Sequence, residues 1–96
     1  MSSLGKRNEC QLLTIVVGAP QTLGAAQHSI PYPSTIAAVP GIGGTLLVEY
    51  QVADGGAWTA WPSGTVSSKT IDVLDGPVFA LRFTAAVANA TVEIAQ

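Results

Sequence analysis

The sequence predicts an all-β fold, a small antiparallel β-sandwich of about six to seven short strands. Three observations carry this. Apolar and polar residues alternate with a period of two in several separate segments; Gly, Pro, Asp and Ser cluster between those segments; and no window sustains the 3.6-residue apolar period of a helix. Ninety-six residues make one domain, because a core divided in two would leave neither half able to offset the entropy of ordering its backbone.

Taken in order, residues 1–8 are small, polar and partly basic, and read as a flexible N-terminal arm ahead of a single sandwich domain spanning 9–96. The segment "CQLLTIVVG", 10–18, is rich in β-branched residues and ends at Gly18-Ala19-Pro20, the pattern of a strand closed by a turn. From Gln21 to Gly44, Pro31, Pro33 and Pro40 are followed by Gly41, Gly43 and Gly44, which argues against a long helix and a central strand and predicts a loop with one or two short edge strands. A loop of that length in a compact domain is a candidate contact surface.

The clearest strand is "TLLVEYQVA", in which Leu46, Val48, Tyr50 and Val52 share one face and Leu47, Glu49 and Gln51 the other. Asp54-Gly55-Gly56 tolerates positive φ and "AWTAW" resumes the extended pattern, so 45–61 is expected to be a β-hairpin. Pro62-Ser63-Gly64 then breaks the chain. "SKTIDVL" alternates Ile71 and Val73 against Thr70 and Asp72; after the turn signal Asp75-Gly76-Pro77, "VFALRFTA" sets Phe79, Leu81 and Phe83 against Val78, Ala80 and Arg82. "ATVEIA" turns Val92 and Ile94 inward and Glu93 outward. Strands this short, separated by turns, suit an immunoglobulin-like sandwich or a relative of it. No repeat at a fixed spacing points to a solenoid or propeller.

The most unusual bulk property is the scarcity of charge: 10% of residues against roughly 25% in an average soluble domain. A surface of Ala, Ser, Thr, Gly and Gln repels neighbouring molecules weakly and suits assembly. The four cations, Lys6, Arg7, Lys69 and Arg82, form no stripe, and the net charge is -2, so nucleic acid is not an expected partner. No apolar run approaches the roughly 20 residues of a membrane span and the N-terminus lacks a signal-peptide core, so no membrane association is expected and synthesis in the cytoplasm is.

The chemistry-bearing residues are few. Cys10 is the single cysteine, which excludes an internal disulfide or a cysteine-based metal site and reads as an inert thiol. His28 is the single histidine and no Gly-x-Ser-x-Gly elbow accompanies it, so triad catalysis is not supported. Asp54, Asp72 and Asp75 sit at or beside turns without calcium-loop spacing, and "GIGG" at 41–44 lacks the helix and lysine of a phosphate loop. No enzymatic activity, metal or cofactor is expected. If Arg82 turns inward, Asp72 is its candidate ion-pair partner.

Trp58 and Trp61 remain. An offset of three along a strand puts the rings on opposite faces, one inside with Tyr50 across the hairpin and one outside. The pair is then purely structural, an anchor for a subunit contact, or a platform for a sugar ring; the enrichment of aromatic residues at interfaces ranks the contact above the sugar.

The run "VEYQVADGGAWTAWPSGTVSSKTIDVLDGPVFALRFTAA", 48–86, resembles a stretch of small virion proteins of tailed bacteriophages, in which "W..WP.GT" is followed by "D...GPV.ALRFT". The resemblance rests on Trp58, Trp61, Pro62, Gly64, Thr65, Asp72, Gly76, Pro77, Val78, Ala80, Leu81, Arg82, Phe83 and Thr84. It implies a structural protein of the particle, most like a capsid decoration (cement) protein on the outer surface of the head. The implied partner is the major capsid protein and the implied assembly a homotrimer; a tail, collar or fibre module is the alternative it allows. The capsid-binding residues expected on physical grounds are Lys6 and Arg7 in the arm, His28 and Tyr32 in the Pro-rich loop, and the rings of Trp58 and Trp61.

Overall fold

The computed structural model describes residues 10–24, 33–76 and 78–95. Within them the chain forms eight strands: β1 (Cys10–Ile15), β2 (Gln21–Gly24), β3 (Ser34–Val39), β4 (Thr45–Gln51), β5 (Thr59–Val66), β6 (Thr70–Leu74), β7 (Ala80–Ala86) and β8 (Ala90–Ala95). They pair into two four-stranded antiparallel sheets, ordered β1-β8-β3-β6 and β2-β7-β4-β5. The expected sandwich is therefore present, with eight described strands where the turn signals predict six or seven. Every connection except β4 to β5 crosses between sheets, and this strand order is that of a jelly roll, two interlocked Greek keys.

Period-two burial builds the core. From the second sheet Leu46 and Val48 of β4, Trp61 and Val66 of β5, and Leu81, Phe83 and Ala85 of β7 face inward. From the first come Ile15 of β1, Ile36 and Ala38 of β3, Leu74 of β6, and Ala90, Val92 and Ile94 of β8. Leu13, Leu23, Tyr50 and Val78 close the rim of this layer. Burying a side chain of the size of Phe83 or Leu81 contributes roughly 1.5–3 kcal/mol, and Ile15, Leu46, Leu81, Phe83 and Val92 are all fully inaccessible.

Three strands depart from the expectation. Ser34–Val39 is a central strand, hydrogen-bonded to β6 on one side and β8 on the other. Pro33 and Pro40 lie just outside it, so neither removes a ladder donor. Residues 62–64 do not break the chain: β5 runs through Pro62 and Gly64 to Val66. Proline is tolerated because β5 is an edge strand, with β4 its one neighbour in the sheet. The irregularity appears instead as a wide bulge, in which Val48 alone on β4 stands against residues 61–64 of β5, with Gly64 at φ 65°. In β6 the alternation has the opposite phase to the core, since Leu74 is the buried residue while Ile71 and Val73 are 60% and 59% exposed.

The turns follow glycine chemistry. Gly56 N–H donates to the Ala53 carbonyl across the β4–β5 turn, and Gly55 at φ 78° takes the conformation that favours glycine there. The Gln51 side chain donates from Nε2 to the Gly56 carbonyl at 2.8 Å, while the Gln51 carbonyl accepts from Phe79 N–H at 2.8 Å. One buried polar residue thus fastens the β4–β5 turn to the start of β7.

Two substitutions separate the inner face from the outer. Phe83→Ala is expected to cost about 3–5 kcal/mol, as for a large core side chain, and Ile71→Ala less than about 0.5 kcal/mol, as for a surface site. Urea denaturation of both variants beside the unaltered protein checks this, and comparable losses would refute the assigned phase of β6.

Candidate functional site

The two tryptophans lie on opposite sides of the second sheet. Trp61 enters the core through the wide bulge of β5, 8% exposed, and meets Tyr50 edge to face with ring centroids 5.7 Å apart and planes at 84°. Such a pair adds about 0.5–1.5 kcal/mol beyond its burial. Trp58, just ahead of β5, is half-buried on the outer face, where the Arg82 guanidinium lies 4.3 Å from its ring centroid. The offset of three residues thus has the consequence expected of it.

Arg82 is placed by register. On the outer face of the second sheet Thr22, Arg82, Glu49 and Ala60 stand in one row across β2, β7, β4 and β5. Both Nε and Nη2 of Arg82 donate to Glu49 Oε1, at 3.0 and 2.9 Å. The carboxylate beside Arg82 is therefore Glu49, directly across the ladder, whereas Asp72 belongs to β6 in the other sheet. Glu49 is more enclosed than Arg82, so loss of either partner leaves a partly desolvated charge. With one ring face covered by the guanidinium, Trp58 has only its other face to offer a ligand.

Beside Trp61 lies a cavity of about 380 Å³ between the ends of the two sheets. Tyr50 and Trp61 supply its aromatic wall, Val52, Val73 and Val78 its apolar wall, and Asp72 and Asp75 its carboxylates. Aromatic rings beside carboxylates can stack on a sugar ring and accept from its hydroxyls. Among the described residues no group of three or more His, Cys, Asp and Glu comes close enough together to hold a metal ion. No described helix is long and apolar enough to cross a membrane.

The outer face of the first sheet carries exposed aliphatic side chains. Leu12, Glu93, Ala37 and Ile71 form one row across β1, β8, β3 and β6, with Val73 two residues beyond Ile71. Leu12 is 67% exposed, so with Ile71 and Val73 three large aliphatic side chains stand in solvent on this face. Lys69 Nζ approaches Glu93 Oε1 at 3.8 Å, an exposed pair that contributes little. Adjacent apolar residues in "LL" and the β-branched alternation of "TIDV" carry this signal in the sequence. The first is ambiguous there, because either phase leaves a leucine outside; the second points the other way, since its apolar residues Ile71 and Val73 are the ones left in solvent.

Of the expected partner-binding residues, Trp58 and Trp61 are thus located. Lys6, Arg7, His28 and Tyr32 lie outside the described residues, as does the arm 1–8. Comparison with protein-family models, with curated proteins and with solved structures finds no match for this chain.

The Arg82–Glu49 pair makes a quantitative expectation. Glu49→Ala should cost about 1.5–3 kcal/mol, the range for a hydrogen bond to a charged group, while Asp54→Ala, in an exposed turn, stays within about 0.5 kcal/mol. Chemical denaturation at low and high salt reads both, and equal midpoints for the two variants would refute the assignment.

Proposed function

We propose that this chain is a non-enzymatic structural protein of a phage particle, a decoration (cement) protein seated on the outer surface of the assembled head. The observation that carries the reading is a set of exposed aliphatic side chains on the outer face of the first sheet, Leu12 at one edge and Ile71 and Val73 at the other, in a chain with 10% charged residues. An apolar face on a charge-poor protein favours burial against a partner. The resemblance of residues 48–86 to small virion proteins gives the partner its class, the major capsid protein. Jelly rolls occur among viral capsid domains and lectins alike, so the fold is compatible with the reading without deciding it.

The mechanism is one of mass action. A protein that binds only the assembled shell stabilises that state by RT ln(1 + [L]/Kd), about 2.7 kcal/mol per site at a hundredfold excess over Kd. A homotrimer linking neighbouring capsid subunits adds avidity without new contacts. The test is sedimentation of purified protein with heads stripped of it, with densitometry of bound copies. Saturation at a simple multiple of the symmetry positions is expected; no saturable binding would reject the head and turn the assignment to a tail, collar or fibre.

A second reading, a carbohydrate-binding sandwich, is favoured by the cavity that joins Tyr50 and Trp61 to Asp72 and Asp75. Because Trp61 borders it, an occupied cavity should quench or shift tryptophan emission. Titration with millimolar oligosaccharides checks this, and an unchanged spectrum would dismiss the sugar.

A further inference from the structure

The cavity between the ends of the two sheets has a lining that selects among ligands. Every formal charge on its described lining is negative: Asp72 and Asp75 border it, and no Lys, Arg or His does. Among the described residues the cations are turned elsewhere. Arg82 lies on the outer face of the second sheet against Glu49 and Trp58, and Lys69 leans toward Glu93 at the end of β6 opposite Leu74. Asp72 shares the inward face of β6 with the buried Leu74, stands across the ladder from Ile36 of β3, and is engaged within the fold. Asp75 follows at the exposed end of the strand.

The walls are fixed before any ligand arrives. Phe79 N–H donates to the Gln51 carbonyl at 2.8 Å, and this one bond ties Val52, the residue after Gln51, to Val78, the residue before Phe79. Tyr50, the residue before Gln51, packs edge to face on Trp61. A volume of about 380 Å³ is near the low end of the roughly 300–1,000 Å³ of small-molecule pockets, so the ligand is small. An inward carboxylate on an edge strand such as β6 also guards that edge against pairing, but that role asks nothing of Asp75 or of the two rings.

We propose that this cavity binds a quaternary ammonium compound, a small ligand whose positive nitrogen is covered by alkyl groups. Aromatic rings attract a cation through their negative faces, and carboxylates attract it by charge. The valine side chains of the wall make no hydrogen bonds and suit methyl groups. A primary ammonium, with three donors and tight hydration, would lose more water than these walls replace. A neutral sugar can use the rings and the carboxylate oxygens, but it has many hydroxyls to satisfy and the valines offer them no partner. Such binding is independent of attachment to a phage head, and it competes with a neutral sugar for the same cavity.

The test titrates full-length protein at constant ionic strength with three probes: choline chloride; 3,3-dimethylbutan-1-ol, in which carbon replaces the charged nitrogen; and Nα-acetyl-lysine amide. Trp61 borders the cavity, so its emission reads occupancy, and calorimetric titration of the same samples checks that reading. Choline should give a saturable change, with the carbon isostere about tenfold or more weaker. Asp75→Asn, at an exposed position, should melt with the unaltered protein and weaken choline about threefold or more; Asp72→Asn should weaken it as well. No saturable response to choline, or equal affinity for the carbon isostere, would overturn the quaternary ammonium. Equal or tighter binding of the lysine amide would overturn it in favour of a primary ammonium, and a response to neutral oligosaccharides alone in favour of the sugar. Unchanged choline binding by both Asp variants would overturn this cavity as the site. Sedimentation with stripped heads reads the decoration role separately, so neither experiment decides the other.

Discussion

The constraint on which everything else depends is the single apolar layer between two four-stranded sheets. Phe83 and Leu81 from β7, Leu46 from β4, Ile15 from β1 and Val92 from β8 are fully enclosed in it. A chain of this length buries a smaller share of its surface than a larger domain does, so each of these side chains is a large part of a small total. The layer also dictates the turns. The chain passes from one sheet to the other at nearly every connection, and the crossings at residues 16–19 and 41–44 use glycine at positive φ or beside another backbone.

That layer positions the surface features by parity alone. Because Leu81 and Phe83 point inward, Arg82 between them must point outward, and because Val48 and Tyr50 point inward, Glu49 must do the same on the neighbouring strand. The register then sets the two opposite each other. Trp58, three residues before the ring that fills the core, is left outside to cover the guanidinium. The cluster needs no local motif, and it follows from the core as firmly as the core residues do.

Much of this was legible in the sequence and some was not, for identifiable reasons. The strands from Thr45 to Gln51 and from Ala90 to Ala95 read directly, because one face is apolar and the other carries Glu49 or Glu93, which fixes the phase. In β6 the apolar face of Ile71 and Val73 is the wet one, while Leu74 is buried on the face it shares with Thr70 and Asp72, so the alternation revealed a strand but pointed to the wrong side as core. Proline misled twice in the same way: Pro33 and Pro40 frame a central strand without entering it, and Pro62 lies within an edge strand. Local chemistry reports what a residue cannot do in the middle of a sheet. It does not report which strands become middle or edge, since that depends on pairings such as β3 with β8, more than fifty residues apart in the chain. The partner of Arg82 was hidden for the same reason, because Glu49 is distant in sequence and adjacent only through the ladder.

The distribution of apolar residues outside the core bears on how such a chain remains a discrete molecule. An open β edge that is uncharged and rich in aliphatic residues invites pairing with another chain. Here β1, with "CQLLTI", and β6, with Ile71 and Val73, bound the first sheet, and among the described residues the charges on its outer face are Glu93 and the nearby Lys69. The second sheet is guarded better, with Pro62 and the wide bulge interrupting β5 and an ion pair under Trp58 at the centre of its outer face. The two outer faces therefore differ in kind: one is locked by a charged and aromatic cluster, while the other leaves aliphatic side chains available. A sandwich whose two inner faces are equally well filled has no folding reason for that asymmetry, and burial of the first sheet against another protein would supply one.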